Sequence, residues 1–194
     1  MEAKQPKRST ADNRKTRYTK MVLRESLMEL MKTKTISSIS IKEICSAADI
    51  SRSTFYAHYS DQYDLLRKTE EEILAVNENI LKKYAHYKNN TRGALQMMEE
   101  ILQFFADNNK SLYVLLSENG DINFQKTLIS SMYQKNFLKS LTDKFPDKRT
   151  KEYYFLFIVT GGIGIIYHWI KNGMDTPIDE LARLIINIAA KSGL

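Results

Sequence analysis

The sequence has few of the residues that interrupt helices or cross-link a chain. Its 194 residues include seven glycines, three prolines and a single cysteine, Cys45. One cysteine excludes an internal disulfide and suits a reducing compartment, so we expect a cytoplasmic protein. No long stretch alternates apolar and polar residues as a half-buried strand does, and apolar residues recur instead at helical spacing. The sequence therefore predicts an all-α fold.

Other absences narrow the function classes. Residues 1–20 contain no apolar stretch, so we expect no signal peptide. The three histidines and Cys45 lie far apart in the sequence, which predicts no metal site. No catalytic triad, carboxylate pair or cofactor-binding loop is visible either, so we predict no cofactor and no enzyme activity.

Excess positive charge is confined to the first third of the chain. Residues 1–60 hold twelve Lys or Arg and six Asp or Glu, whereas residues 61–194 hold seventeen of each. The net charge of +6 therefore belongs entirely to the first 60 residues. Such a distribution indicates that one end of the protein meets a polyanion, with a solvated basic tail as the alternative.

Two short helices separated by a tight turn are predicted within residues 40–59. Ser40 followed three residues later by Glu43 is a capping box, which starts a helix by satisfying two unpaired amide groups. Asp49 tolerates the left-handed backbone of a turn, and Ser51 caps a second helix that we predict to run from Arg52 to Tyr59. A third helix, capped by Ser60, is predicted from Asp61 towards Lys83.

The second short helix is suited to the major groove of DNA. Phe55 and Tyr59 lie four residues apart and are expected to anchor it to the core, which leaves its other faces polar. In a helix-turn-helix the first helix braces on the DNA backbone while the second reads base edges. A helical hairpin without function is the alternative interpretation.

The pattern Ile41-x-x-Ile44-x-x-x-Ala48-x-Ile50-Ser51-x-x-Thr54-Phe55-Tyr56-x-x-Tyr59, followed by Leu65-Leu66, resembles the DNA-binding signature of the TetR/AcrR family of transcriptional regulators. The resemblance is close over about 60 residues. It implies DNA contacts by side chains on both short helices and on the basic segment before them, namely Lys42, Ser51, Arg52, Ser53, Thr54, Tyr56, His58, Arg14, Lys15 and Arg17. Asp49 departs from the glycine that the family prefers, and Gln62 replaces a lysine that often binds phosphate.

An uncharged run over residues 153–170 predicts a helix at a subunit interface, with a membrane span as the alternative. The resemblance implies a homodimer formed by the last two long helices. The expected interface residues are apolar side chains and glycines on these helices, namely Phe157, Gly161, Gly162, Ile165, Trp169, Leu181, Leu184, Ile185 and Ile188.

Aromatic and methionine side chains are spread over the middle helices, where they serve either as plain core or as the lining of a pocket. The resemblance implies an effector pocket there, with candidate residues Met98, Phe104, Phe105, Tyr113, Phe124, Tyr133 and Phe137. It also implies an allosteric mechanism in which a small molecule moves the fourth helix and releases the dimer from a palindromic operator.

These interpretations combine into one predicted organisation of about nine helices. Residues 1–13 form a flexible basic arm, residues 14–68 a three-helix DNA-binding domain completed by the start of the fourth helix, and residues 69–194 a helical ligand-binding and dimerisation domain. The predicted function is a repressor that binds double-stranded DNA and no membrane. The alternatives are an activator of the same fold without a small ligand and, least favoured, an enzyme.

Overall fold

A computed structural model describes residues 10–84, 91–134 and 145–191. These residues are helical and contain no β-strand, which confirms the predicted all-α fold. Within the described ranges there are nine α-helices and one short 3-10 helix.

The helices up to residue 84 are α1 (Thr10–Met31), α2 (Ile41–Ala48), α3 (Arg52–Tyr56) and α4 (Gln62–Tyr84), with the 3-10 turn at Ile36–Ser38 between α1 and α2. Helix α1 begins four residues before Arg14, so the last part of the predicted arm is helical. Helix α3 ends at Tyr56 rather than at the predicted Tyr59, because the chain turns there.

The later helices are α5 (Thr91–Asp107), α6 (Asn109–Leu115), α7 (Ile122–Gln134), α8 (Lys148–Lys171) and α9 (Ile178–Lys191). The sequence predicts helices over residues 91–107, 150–171 and 177–191. Helix α5 has the first of these ranges, α8 begins two residues before its predicted start, and α9 begins one residue after it. The sequence also predicts a helix over residues 122–144 and a loop over residues 86–90. Residues 135–144 of that helix and the whole of that loop lie outside the described residues.

The chain divides into two compact units, residues 1–69 and 70–194, so that α4 is continuous across the boundary. The predicted boundary was between residues 68 and 69. In the first unit α1 packs on α2, and α2 on α3. Its core includes Leu23, Leu27 and Phe55, none of which has any exposed surface.

In the second unit α5 packs against α9, and α8 packs against α6 and α7. Leu102, Leu112 and Leu128 are fully buried among these helices. The turn between α8 and α9 contains two residues with positive φ, Gly173 at 77° and Met174 at 61°.

Helix α8 is the one described helix that is long and apolar enough to cross a membrane. A single helix of this kind is weak evidence for a span, because the core helix of a soluble protein has the same length and composition.

Candidate nucleic-acid interface

The start of α2 is fixed by the predicted capping box. The Glu43 amide donates to Ser40 Oγ at 3.3 Å, and the Ser40 amide donates to Glu43 Oε2 at 2.9 Å. Lys34 Nζ lies 2.6 Å from Glu43 Oε1, and its hydrogen bond, together with those from Ser40, lowers the pKa of Glu43 to about 2. The first turn of α2 is therefore rigid, and it holds the exposed Lys42 on the surface.

The turn between α2 and α3 also has the predicted conformation. Asp49 ends α2 with φ 53° and ψ 44°, in the left-handed region that Asp tolerates better than most residues. The Ile50 amide then donates to the Cys45 carbonyl at 2.9 Å, which closes the end of the helix.

Helix α3 begins at a serine cap with a cluster of hydroxyl groups. Ser51 Oγ accepts the Thr54 amide at 3.1 Å and lies 2.9 Å from both Ser53 Oγ and Thr54 Oγ1. Arg52 and Ser53 are exposed, whereas Thr54 is half-buried. The first turn of α3 therefore presents Arg52 and Ser53 to solvent, while the Thr54 hydroxyl hydrogen-bonds to the Ser51 cap.

The opposite face of α3 is anchored as predicted. Phe55 has no exposed surface, Tyr59 is 6% exposed, and their ring centroids are 5.7 Å apart. Tyr56, the neighbour of Phe55, is 57% exposed, so two adjacent aromatic residues take opposite roles. The exposed phenol of Tyr56 is held on a helix that cannot rotate without breaking the core.

His58 lies in the turn after α3 and not at the end of the recognition helix, where it was predicted. The chain leaves the helix at Ala57, and the His58 amide donates to the Phe55 carbonyl at 2.9 Å. The His58 carbonyl accepts a hydrogen bond from Lys68 Nζ at 3.1 Å. The backbone at the half-buried His58 is thereby held by α3 and by the Lys68 side chain of α4.

The start of α4 differs in detail from the prediction. The Asp64 amide donates to Asp61 Oδ1 at 2.7 Å, so Asp61 rather than Ser60 supplies the side-chain cap. The Ser60 amide donates in turn to Asp64 Oδ2 at 3.1 Å. Lys68 Nζ lies 2.9 Å from Asp64 Oδ2, and its hydrogen bond is the largest cause that lowers the pKa of Asp64 to about 2. Asp at this capping position uses a charged oxygen, which a serine cap lacks.

The basic residues Arg14, Lys15 and Arg17 are exposed on α1. Two exposed aromatic residues of the first unit are not among the predicted contacts, namely Tyr18 (61% exposed) and Tyr63 (49% exposed). The signal that could have drawn attention to them is an aromatic side chain at a helix position outside the buried apolar stripe.

Comparison with known proteins places this geometry in a family. A TetR-type family model described as "Transcriptional regulator C-terminal region" matches residues 94–191, which is just over half of the chain. The chain belongs to the TetR family of transcriptional regulators. No curated protein matches it.

Solved TetR structures share the fold at low sequence identity. A TetR transcriptional regulator from Streptococcus agalactiae is 18% identical with a TM-score of 0.58, over 94% of this chain and 99% of that one. PfmR from Thermus thermophilus is 13% identical with a TM-score of 0.65, over 87% of this chain and 97% of PfmR. FadR from Bacillus subtilis, solved in complex with stearoyl-CoA, is 10% identical with a TM-score of 0.57, over 90% of this chain and 98% of FadR.

In this TetR-family chain, only some of the residues predicted to form the dimer interface are on the surface. Phe157, Leu184 and Ile188 are 65%, 50% and 40% exposed, and Gly161 is exposed as well. Gly162 and Ile165 are half-buried. The other members are buried in the core of the chain itself and present almost no surface to a partner; these are Trp169, Leu181 and Ile185.

The predicted pocket residues also divide into two groups. Met98, Phe105 and Phe124 are buried as core, whereas Phe104 and Tyr113 are half-buried. The side chain of Tyr133 and the whole of Phe137 lie outside what the structure describes. Tyr113 stacks on Tyr167 with ring centroids 5.8 Å apart and planes 15° apart.

A cavity of about 820 Å³ in the second unit lies elsewhere and includes none of the predicted pocket residues. Its lining is polar and comes from the end of α4, from α5 and from the start of α9: Lys83, Tyr84, Gln96, Glu99, Glu100, Gln103, Ile178 and Asp179. Glu100 Oε2 already accepts from Lys83 Nζ at 2.7 Å and from Tyr84 Oη at 2.9 Å. Lys83, Tyr84 and Glu100 therefore satisfy each other's polar groups within this cavity.

Proposed function

We propose that this TetR-family protein is a sequence-specific DNA-binding regulator of transcription, without enzyme activity, that acts in the cytoplasm. The observation that supports this most directly is the arrangement of α3. Phe55 fixes one face of the helix in the core, while Arg52, Ser53 and Tyr56 are exposed on the remainder. A short, rigid helix with a polar outer surface, in the part of the chain that carries all the excess positive charge, fits the major groove.

Within this interface the side chains take different roles. The guanidinium of Arg52 in the first turn can bind guanine O6 and N7 together, which specifies sequence. The Tyr56 phenol, together with Lys42 and the basic residues of α1, is suited to phosphate contacts that set the register. The hydroxyls of Ser51 and Thr54 act mainly by shaping the helix start, since both already take part in the cap.

The two roles can be separated with duplexes selected from random DNA by the wild-type protein. Arg52→Ala should lose affinity mainly for the selected duplex, by about 1–3 kcal/mol, and should relax the preference at one position per half-site. Tyr56→Phe should weaken the selected and the scrambled duplex by similar factors. Fluorescence anisotropy at one fixed salt concentration measures both. Equal loss of the two duplexes by Arg52→Ala would refute base reading by this residue, and failure of the wild type to select any duplex would refute the function.

The proposed operator is palindromic because we also propose a homodimer. Exposed residues follow one side of α8 at helical spacing, namely Tyr153, Leu156, Phe157, Thr160, Gly161 and Gly164. A methyl group added to Gly161 or Gly164 would meet no atom within 4 Å in the described part of the subunit, so a partner helix could approach closely there. Leu184 and Ile188 extend the apolar surface along α9.

The dimer is tested by the charge variant Phe157→Glu, with Ile122→Glu as the matched control. Both side chains are exposed apolar residues of the second unit, at 65% and 57%, but Ile122 belongs to α7 and to neither of the two helices of the proposed interface. Sedimentation at micromolar concentration should show a dimer for the wild type and for Ile122→Glu, and a monomer for Phe157→Glu. A monomeric wild type, or a Phe157→Glu variant that stays dimeric, would contradict this interface.

We further propose that a small molecule bound in the second unit releases the protein from DNA. Helix α4 supports this, because it begins in the first unit and continues through residue 84 of the second. A ligand that binds one position of α4 better than another shifts the equilibrium between them. A reporter gene behind the selected duplex tests the direction: higher expression on deletion of the regulator indicates a repressor, and lower expression indicates an activator.

A further inference from the structure

The buried face of α4 in the second unit is interrupted by a polar residue. Ile73, Ile80 and Leu81 are 2%, 5% and 3% exposed, and they give the helix an apolar inner side. Asn77 lies in the middle of this face and has no exposed surface. Glu70, seven residues earlier, lies on the same side of the helix, because seven residues are close to two full turns.

Three polar atoms of these two side chains have no hydrogen-bond partner among the described residues. The amide nitrogen and the carbonyl oxygen of the Asn77 side chain are both buried without a hydrogen-bond partner among the described residues, and so is Oε1 of Glu70. Roughly 90% or more of buried polar groups in proteins are paired, so unpaired ones need an explanation. Three such atoms on one helix face indicate a group outside the described residues that satisfies them.

The charge around Glu70 favours a cation. Burial is the largest cause that raises the pKa of Glu70 to about 7, and the carboxylates of Asp121 and Glu71 raise it further. Asp121 lies in the connection between α6 and α7, where its Oδ1 accepts the Asn123 amide at 2.7 Å. An anionic ligand would add repulsion here, and a neutral one would leave the repulsion unrelieved.

The same connection brings a second carboxylate near aromatic rings. Glu118, three residues before Asp121, acts on Tyr167, whose pKa is raised mainly by burial and further by Tyr113 and Glu118. Tyr113 and Tyr167 form the stacked pair described above, and both are half-buried. Aromatic faces beside carboxylates attract organic cations.

We propose that the second unit binds an organic cation, a primary or secondary amine on an apolar body, whose ammonium group pairs with Glu70 while Asn77, on the same inner face of α4, lines the site. The aromatic pair Tyr113–Tyr167 lies next to the acidic connection and supplies the rings for the cation or its apolar body. A metal ion is a poorer candidate, because no group of three or more metal-ligating side chains among the described residues could hold one. This assignment deepens the proposed effector response and rests on it.

The test uses the full-length protein and three probes of one shape: phenethylammonium, phenethyl alcohol and 3-phenylpropionate. Titration calorimetry should show binding of the ammonium probe and weaker or no binding of the other two. Glu70→Gln, which keeps the shape and removes the charge, should lower the affinity for phenethylammonium by at least about tenfold. Glu72→Gln, at an exposed position of the same helix, is the matched control and should leave the affinity unchanged.

Asn77→Leu gives an independent test, because leucine has a similar size and needs no partner. The variant should melt at a higher temperature than the wild type without ligand, and should bind phenethylammonium more weakly. The proposal is overturned if phenethylammonium fails to bind the wild type, if Glu70→Gln binds it as well as the wild type does, or if the alcohol or the carboxylate binds equally well. Affinity of the ligand-free samples for the selected duplex is measured in parallel. A ligand-free wild type that binds the selected duplex no better than a scrambled one would instead count against the proposed DNA-binding function.

Discussion

Polar groups are paired at the helix starts of the first unit and unpaired on the inner face of α4 in the second unit. At each helix start two residues a few positions apart hydrogen-bond to each other; the pairs are Ser40 with Glu43, Ser51 with Thr54, and Asp61 with Asp64. On the inner face of α4, buried polar atoms have no protein partner within the described chain.

This difference reflects two ways of preparing for a ligand. A surface that must match the fixed geometry of a DNA groove gains from being rigid before binding, because less conformational entropy is then lost on association. A site that responds to a ligand gains from polar groups that only the ligand completes, because the ligand then favours one conformation over the other. The following predictions test each half of this comparison, beginning with the largest expected effect.

Phe55→Ala should be the most damaging single change in the first unit. Removing a fully buried phenylalanine costs about 3–5 kcal/mol, because apolar contacts are lost and a cavity remains. The matched control is Tyr56→Ala at the adjacent, exposed position. Urea unfolding followed by circular dichroism should show a large loss of stability for Phe55→Ala only, while DNA binding falls in both. Equal destabilisation by the two substitutions would mean that α3 is not anchored through Phe55.

How far the sequence predicted these features depends on the range of the interactions involved. The capping box at Ser40, the left-handed Asp49 and the anchors Phe55 and Tyr59 were predicted correctly, because each depends on residues a few positions away. The N-terminal cap of α4 was predicted at Ser60, one residue before Asp61, which supplies it. Ser60 and Asp61 are both good caps, and local preference does not choose between them.

Features that depend on distant packing were not predictable in the same way. The apolar stripe of α9 was recognised, but its members Leu181 and Ile185 face the core of the subunit, where α5 packs, while Leu184 and Ile188 are exposed. Periodicity defines a stripe and does not say which neighbour covers it. The burial of Asn77 was not predicted for the same reason. An asparagine in a charged helix gives no sign of burial until its neighbours are known.

Ser40→Ala should have a moderate effect on the first unit. The cap accepts the Glu43 amide, and its loss typically costs about 1 kcal/mol of stability. Ser46→Ala is the matched control, since it makes the same substitution at an exposed position of the same helix. Denaturant midpoints should fall for Ser40→Ala and stay constant or rise slightly for Ser46→Ala. If both variants matched the wild type, the start of α2 would not depend on its cap.

The smallest expected effect concerns Glu70 and the dependence of stability on pH. Its pKa rises from an ordinary value of 4.5 to about 7 in the folded protein, chiefly because burial disfavours the charged form. A carboxyl whose folded pKa is raised contributes stability that is fully present below its unfolded pKa and is lost as pH rises through the folded value.

The wild type should therefore lose stability relative to Glu70→Gln between about pH 4.5 and 7, and the difference should level off above that range. Because the side chain is only half-buried, solvent screening reduces the expected difference to below about 1 kcal/mol. Thermal unfolding of both proteins at matched ionic strength from pH 4 to 8 measures it, with Glu72→Gln as the exposed control. A constant difference across this pH range would mean that Glu70 is not held in a charge-disfavouring site, and saturation with phenethylammonium should reduce the difference if the ammonium group pairs with this carboxylate.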